Sequence, residues 1–177
     1  MNEWHKTFLG VRQQHNYALY SAIDDVLFDT PIERFVEVGT GGGALSVVLG
    51  LHAVQRGTHL LTFDYQIRGM LPKLLGVFSA LGVEFVQANA FDSLDRIIRY
   101  IGDKPCFFMC DGDEKPEEFN VFAPMLPAGS IIAAHDYGDE FQLKELNTDG
   151  LTPLLPERWS EDVHDIRTCF FRKEEMY

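Results

Sequence analysis

The sequence predicts an α/β fold, a Rossmann-like, doubly wound, mostly parallel sheet with helices on both faces and an antiparallel strand at the C-terminal edge. Three observations lead there. Short apolar runs alternate with longer stretches of helical periodicity, the pattern of parallel strands joined by crossover helices. A glycine-rich turn, Gly39-Thr40-Gly41-Gly42-Gly43, follows directly on the first such run and opens a helix. The chain has 177 residues, 46% of them apolar and 24% charged, which suits one core of ordinary size. Residues 1–177 are therefore read as a single domain, with an N-terminal helical segment over 1–30, a cofactor-binding core over 31–147 and a C-terminal edge-strand region over 148–177.

Each element has its own justification. Between residues 7 and 28, Phe8, Leu9, Val11, Tyr17, Leu19, Tyr20, Ile23, Val26 and Leu27 recur mostly three or four apart, which predicts an amphipathic helix ended by Pro31. Apolar runs then predict strands at Arg34–Val38, His59–Asp64, Glu84–Ala88, Cys106–Cys110 and Ser130–His135. Helical stretches at 44–56, 69–81, 92–101, 116–125 and 139–146 follow these strands. After Asn147 the pattern becomes irregular, and Thr168-Cys169-Phe170-Phe171 predicts one last, antiparallel strand at the sheet edge.

Composition excludes several functions. With 27 acidic and 15 basic residues the net charge is -12, so phosphate backbones and anionic membrane surfaces are repelled. Nucleic acid and membranes are not expected partners. Cys106, Cys110 and Cys169 lie among apolar residues and read as reduced, buried thiols of a cytoplasmic protein rather than zinc ligands. No apolar run approaches the roughly 18 residues of a membrane span, and Met1-Asn2-Glu3-Trp4-His5 lacks the form of a signal peptide.

Glycines at a strand-to-helix turn let a ligand approach the backbone, and the helix beyond offers unpaired N–H groups. The turn lacks the lysine of a nucleoside-triphosphate loop, which leaves dinucleotides and S-adenosylmethionine. Glu37, two residues before Gly39, separates them, because its carboxylate opposes a pyrophosphate and suits the ammonium of a methionine moiety, directly or through water. Asp64, ending the second strand, is placed to accept both ribose hydroxyls, with Tyr65 beside it. In the third strand–helix turn, Asn89 and Ala90 are expected at the adenine edge and Phe91 beside the ring. The alternatives are an Asx turn at Asn89 and a helix cap at Asp92.

The fourth strand delivers Asp111-Gly112-Asp113-Glu114 at its carboxyl end, and the fifth delivers His135-Asp136-Tyr137. Loops at the carboxyl ends of neighbouring parallel strands converge on the crevice of an open α/β sheet, so these residues are expected to face the reactive end of the cofactor. Asp111 and Asp136, with His135 as a possible third, form a candidate ligand set for a hard divalent cation. His135 is alternatively a general base with an ordinary pKa of about 6.5, or a histidine satisfied by a neighbouring carbonyl. His15, His52, His59 and His164 read as surface or helix-face residues.

In order, Glu37-Val38-Gly39-Thr40-Gly41-Gly42-Gly43, Asp64, Asp111-Gly112-Asp113, Pro127-Ala128-Gly129-Ser130-Ile131-Ile132 and His135-Asp136-Tyr137 resemble class I S-adenosylmethionine-dependent methyltransferases. The pattern is similar, more narrowly, to the small-molecule O-methyltransferase branch that includes macrocin-type and cephalosporin hydroxylase-like proteins. The resemblance spans residues 10–137. It implies that Glu37, Gly39, Gly41 and Gly43 line the methionine end, that Asp64 holds the ribose, and that Asp111 and Asp136 stand where metal-dependent members bind magnesium. The chain departs from the pattern twice. Glu114-Lys115-Pro116 follows Asp-Gly-Asp where many relatives have His-Ser-Tyr, and His135-Asp136 replaces the acidic pair common in metal-dependent members.

The expected function is methyl transfer from S-adenosylmethionine to a hydroxyl of a small molecule such as a sugar or a phenol, with Asp111 and His135 at the catalytic end. The alternatives are a nicotinamide-dependent oxidoreductase, which Glu37 disfavours, and a non-catalytic cofactor-binding or assembly domain. No inserted lid is evident, so a second subunit is one expected means of enclosing the substrate, which makes a homo-oligomer plausible.

Overall fold

A computed structural model describes residues 7–12, 15–67, 71–159 and 166–175. The N-terminal helix is shorter than its periodicity suggests. Thr7–Phe8 (β1) and Val11–Arg12 (β2) pair antiparallel as a hairpin. Leu9 and Gly10 both have positive φ, 51° and 76°, as a two-residue hairpin turn requires. The helix itself (α1) is Tyr17–Leu27. Asn16 caps it by accepting the Ala18 N–H at 3.1 Å. Phe8 and Val11 still face the core, which is how a hairpin satisfied part of a helical pattern.

The predicted strands follow as β3 (Arg34–Val38), β4 (Leu60–Asp64), β5 (Glu84–Gln87), β6 (Cys106–Cys110) and β7 (Ile131–His135). Helices α2 (Ala44–Gln55), α3 (Leu75–Ala80), α4 (Leu94–Ile101) and α5 (Lys115–Phe122) connect them. Two helical expectations contract. In the 69–81 stretch Leu71–Lys73 forms a single 3₁₀ turn before α3, where Pro72 cannot continue an α-helix. Across 139–146 only the 3₁₀ turn Leu143–Glu145 forms, after a bend at Gly138 with φ of 84°.

Among the described residues, the main sheet has seven strands in the order β5-β4-β3-β6-β7-β9-β8. Strands β5 to β7 are parallel, and β9 (Thr168–Lys173) joins β7 antiparallel. The expected edge strand therefore lies one place inside the edge. The outermost strand is β8 (Leu151–Leu154), antiparallel to β9. Pro153 hid this strand in the sequence, and an edge is where a strand tolerates proline.

Side-chain alternation divides the core between the two faces. Phe35, Phe107, Met109, Ile131 and Ala133 pack with Leu19, Ile23, Leu45 and Leu49 of α1 and α2. Val36, Phe63, Phe108, Ile132 and Ala134 pack with Ile97, Phe119 and Phe122 of α4 and α5. All three cysteines are buried and unpaired with one another, and burial raises their thiol pKa values, Cys169 to about 12. The chain turns back from β5 to β6 beside β3, so the connections leave β3 and β6 in opposite directions. That switch point opens a crevice at the strands' carboxyl ends. No helix among the described residues is long and apolar enough to cross a membrane.

Candidate active site

A cleft of about 950 Å³ opens over the carboxyl ends of β3, β4, β6 and β7. Of the residues singled out in the sequence, Gly39, Gly41, Asp64, Tyr65, Asn89, Ala90, Asp111, His135 and Asp136 line it. Glu37, Thr40 and Gly43 are not part of that lining. Thr40 is buried and its hydroxyl pairs with that of Thr62 at 2.6 Å, while Gly43, with φ of 87°, starts α2.

At one end, Gly39 has φ of 94°, and a Cβ there would lie 2.0 Å from the Asp111 carbonyl oxygen. Only glycine lets β3 turn this close to the end of β6. Glu37 shares the β3 face of Phe35 and is buried behind the turn. Its Oε2 accepts hydrogen bonds from Ser46 at 2.5 Å and Thr62 at 2.6 Å. Its Oε1 is buried with no hydrogen-bond partner among the described residues. Burial pushes its carboxyl up to about 7, against the lowering effect of the two hydroxyls.

Asp64 is only 6% exposed. It is pinned at the cleft wall by the Gly41 N–H on Oδ2 at 2.8 Å and the Gln66 N–H on Oδ1 at 2.9 Å. Next to it the Tyr65 hydroxyl donates to Asp113 at 2.5 Å, so the ends of β4 and β6 are tied across the opening. Asn89 forms the Asx turn, accepting the Phe91 N–H at 2.9 Å. Phe91 lines the cleft and stacks on Phe122 with ring centres 6.1 Å apart.

The other end holds a group the sequence reading had not assembled. In β6, Phe107 and Met109 face α1, and the same alternation carries Asp111 to that side; Ile131 and Ala133 do the same for His135 on β7. His15, immediately before the cap of α1, reaches them. Its Nε2 is 2.8 Å from Asp111 Oδ2, and its ring centre is 4.6 Å from that of His135. His15, Asp111 and His135 each present one ligand atom, all within 4.8 Å of one another. Reading a helix through residues 7–28 placed His15 on a helix face. The available signal was Asn16, a strong cap residue that puts His15 at the mouth of α1 instead.

The electrostatics of this end are set by burial and by opposite charges. Burial alone would raise Asp111, but His15 and His135, together with the hydrogen bond to His15, hold its carboxyl below the usual range. Burial favours neutral His15, but the charge and hydrogen bond of Asp111, together with the charges of Glu37 and Asp136, outweigh it, so the His15 pKa is raised. His135 behaves otherwise than expected: burial pushes its pKa down to about 4 despite Asp111, and its Nδ1 pairs with the Thr168 hydroxyl at 2.7 Å. It is a neutral imidazole at pH 7, with a side chain rather than a carbonyl on its far nitrogen.

Asp136 also departs from expectation. It has φ of 67°, a left-handed conformation rare outside glycine. Its carboxylate faces Lys115 Nζ at 3.3 Å and Arg167 at 3.3 Å and lies 3.4 Å from His135 Nε2, and it is not grouped with Asp111 as a ligand pair. Lys115 is 4% exposed and also donates to the Gly112 carbonyl at 2.8 Å and to Glu140 at 2.5 Å. Glu118, pushed up to about 7 by burial, accepts the Gly112 N–H at 3.2 Å. Lys115 entered the sequence reading only as part of the Glu114-Lys115-Pro116 departure and Glu118 not at all, and both fix the loop after β6 through Gly112. His52 lies near Asp24 at 3.2 Å and His59 is partly exposed near Glu84 at 3.7 Å, as helix-face and surface residues should; His164 lies outside the described residues.

No family model and no curated protein matches the sequence. Solved structures do match the fold. The apo structure of CmcI superposes with a TM-score of 0.73 at 13% identity, over 99% of this chain and 79% of that one. A structure of CmcI with Mg-SAM gives 0.67 at 14%, over 97% and 78% of the two chains. A caffeoyl-CoA O-methyltransferase from Staphylococcus aureus, itself described as putative, gives 0.64 at 14%, over 92% and 86%. The chain therefore has the Rossmann-like fold of these methyltransferases.

Proposed function

We propose that the protein transfers a methyl group from S-adenosylmethionine to a hydroxyl of a small molecule. One observation carries this reading: a single cleft joins a glycine turn and a pinned strand-end carboxylate at one end to the His15–Asp111–His135 cluster at the other. Similarity of fold to CmcI with Mg-SAM and to a caffeoyl-CoA O-methyltransferase supports it.

The residues fit the cofactor. A ligand of nucleoside size matches the cleft, since such pockets commonly measure about 300 to 1,000 Å³. The buried Oε1 of Glu37, with no hydrogen-bond partner among the described residues, puts negative charge behind the turn when the carboxyl is ionised, which favours a methionine ammonium over a pyrophosphate without direct contact. In this reading Asp64 receives the ribose hydroxyls, while Ala90 and the Phe91 ring border the adenine end. S-adenosylmethionine, when bound, supplies a methyl group activated by its sulfonium. The protein's own work is alignment and charge.

Holding an acceptor oxygen in line with that methyl accounts for much of such a rate enhancement. The O–CH₃ bond forms as the S–CH₃ bond breaks to leave S-adenosylhomocysteine, and the hydroxyl proton passes to water in the cleft. Asp111, His15 and His135 surround the position where that proton is lost, with Lys115 adding positive charge close by. Preorganised cations there stabilise the developing alkoxide. The acidic surface, at net -12, makes a neutral or cationic acceptor the better partner. Oligomerisation is a further part of the proposal, as a means of covering the cleft mouth.

The test is incubation with S-adenosylmethionine labelled in the methyl group and a panel of sugars and phenols. Label is expected in an O-methyl product, with equimolar S-adenosylhomocysteine. Cofactor binding without transfer to any acceptor would instead support a non-catalytic domain.

A further inference from the structure

We infer that His15 Nε2, Asp111 Oδ2 and His135 Nε2 form a binding site for a first-row transition-metal ion, Zn²⁺ or Fe²⁺ in type, rather than for magnesium. The methyl-transfer reading uses the same cluster at the reactive end of the cleft, but ion binding by it stands on its own geometry.

The donor set is the first argument. Two imidazoles and one carboxylate suit zinc, iron and cobalt, whereas magnesium prefers an all-oxygen shell and retains water. Of the oxygen pair expected from the sequence, the Asp136 carboxylate is engaged by Lys115 Nζ and Arg167, each at 3.3 Å, and its Oδ1 lies 3.4 Å from His135 Nε2, beside the cluster rather than within it.

The second argument is geometry. Donor atoms around a zinc-type ion lie at about 2.0 to 2.2 Å from it and hence roughly 3 to 3.5 Å from one another. His15 Nε2 and Asp111 Oδ2 are already 2.8 Å apart, and the whole group fits within 4.8 Å. Closing it takes side-chain rotations of about an ångström, and the proton between His15 and Asp111 leaves to solvent as the ion enters.

Orientation by outer partners is the third. Metal-binding histidines commonly fix their second ring nitrogen with a hydrogen bond, and His135 Nδ1 has one to Thr168 Oγ1 at 2.7 Å. Thr168 is fully buried on β9, which pairs with β7 at His135 itself, so the ring's direction is set by the sheet. His15 stands just before the Asn16 cap of α1, and Asp111 follows the end of β6. Three ligands from three elements leave further coordination positions facing the cleft, where water or an acceptor oxygen can bind. That last consequence rests on the methyl-transfer reading; metal binding does not.

The experiment uses the full chain, stripped with chelator and titrated with Co²⁺ as a spectroscopic probe. One Co²⁺ per chain is expected, with visible d–d bands that Zn²⁺ abolishes by displacement and that a hundredfold excess of Mg²⁺, about two decades, leaves intact. His15→Ala and His135→Ala should each weaken Co²⁺ binding by about tenfold or more, and Asp136→Asn by much less. As a readout independent of variant folding, Zn²⁺ added to the wild-type protein should shift the ring nitrogen resonances of both His15 and His135 and of no other histidine. Absence of stoichiometric Co²⁺ binding, unshifted His15 and His135 resonances, or displacement of Co²⁺ by Mg²⁺ would each overturn the assignment. Calorimetry with S-adenosylhomocysteine on the metal-free chain, run in parallel, separates this outcome from failure of the cofactor reading.

Discussion

At the scale of single residues, Glu37 and Asp64 carry the most. Burial lifts Glu37 from an ordinary 4.5 to about 7, so the folded chain takes up its proton more readily than the unfolded chain. Its contribution to stability is therefore fully present below pH 4.5 and is lost as pH rises toward 7. The loss is on the order of a few kcal/mol. Glu118 shifts in the same direction for the same reason. Denaturant unfolding of the ligand-free protein at about pH 4 and about pH 7.5, either side of this range, should show a fall that Glu37→Gln reduces; an unchanged fall in the variant places the effect elsewhere. Asp64→Ala should remove the acceptor of two backbone N–H groups, lowering stability by about 1 to 3 kcal/mol, and should weaken S-adenosylhomocysteine binding by about tenfold or more. Wild-type affinity in that variant sinks Asp64 as the ribose ligand. The positions of both residues, beside the turn and at a strand end, were legible in the sequence, but the burial of Glu37 outside the cleft lining was not. His15 was not, since its role depends on where α1 lands on the sheet, a tertiary fact that helical periodicity blurred.

At the scale of elements, Gly39 joins two strands. Its positive φ and the 2.0 Å approach of an added Cβ to the Asp111 carbonyl mean that Gly39→Ala must push β3 away from β6. The variant should lose on the order of 2 kcal/mol or more and disturb Asp111, with S-adenosylhomocysteine affinity falling alongside. An alanine variant of native stability and affinity contradicts the close approach. The five parallel strands were readable because buried parallel strands are continuous apolar runs with glycine or polar punctuation. Cys106–Cys110 and Arg34–Val38 match their predicted bounds. The hairpin at β1 and β2 and the strand β8 were not, for opposite reasons: the first borrows helical spacing from Phe8 and Val11, and the second carries Pro153.

At the scale of the whole molecule, the strand order decides the function proposed. Placing β3 and β6 side by side with connections leaving in opposite directions creates one crevice, and residues from β3, β4, β6, β7 and the approach to α1 all reach it. The sequence indicated which residues stood at strand ends but only the register between β6 and β7, with Cys110 opposite Ala134, brings Asp111 and His135 together. The same crevice in a dinucleotide enzyme would hold a pyrophosphate against the glycine turn, and here buried Glu37 stands directly behind that turn. Cofactor choice is therefore the central claim, and calorimetric titration of the wild-type chain tests it most directly. S-adenosylhomocysteine should bind with one site per chain, and NAD⁺ should give no saturable heat. Tight NAD⁺ binding with no response to S-adenosylhomocysteine would contradict the account.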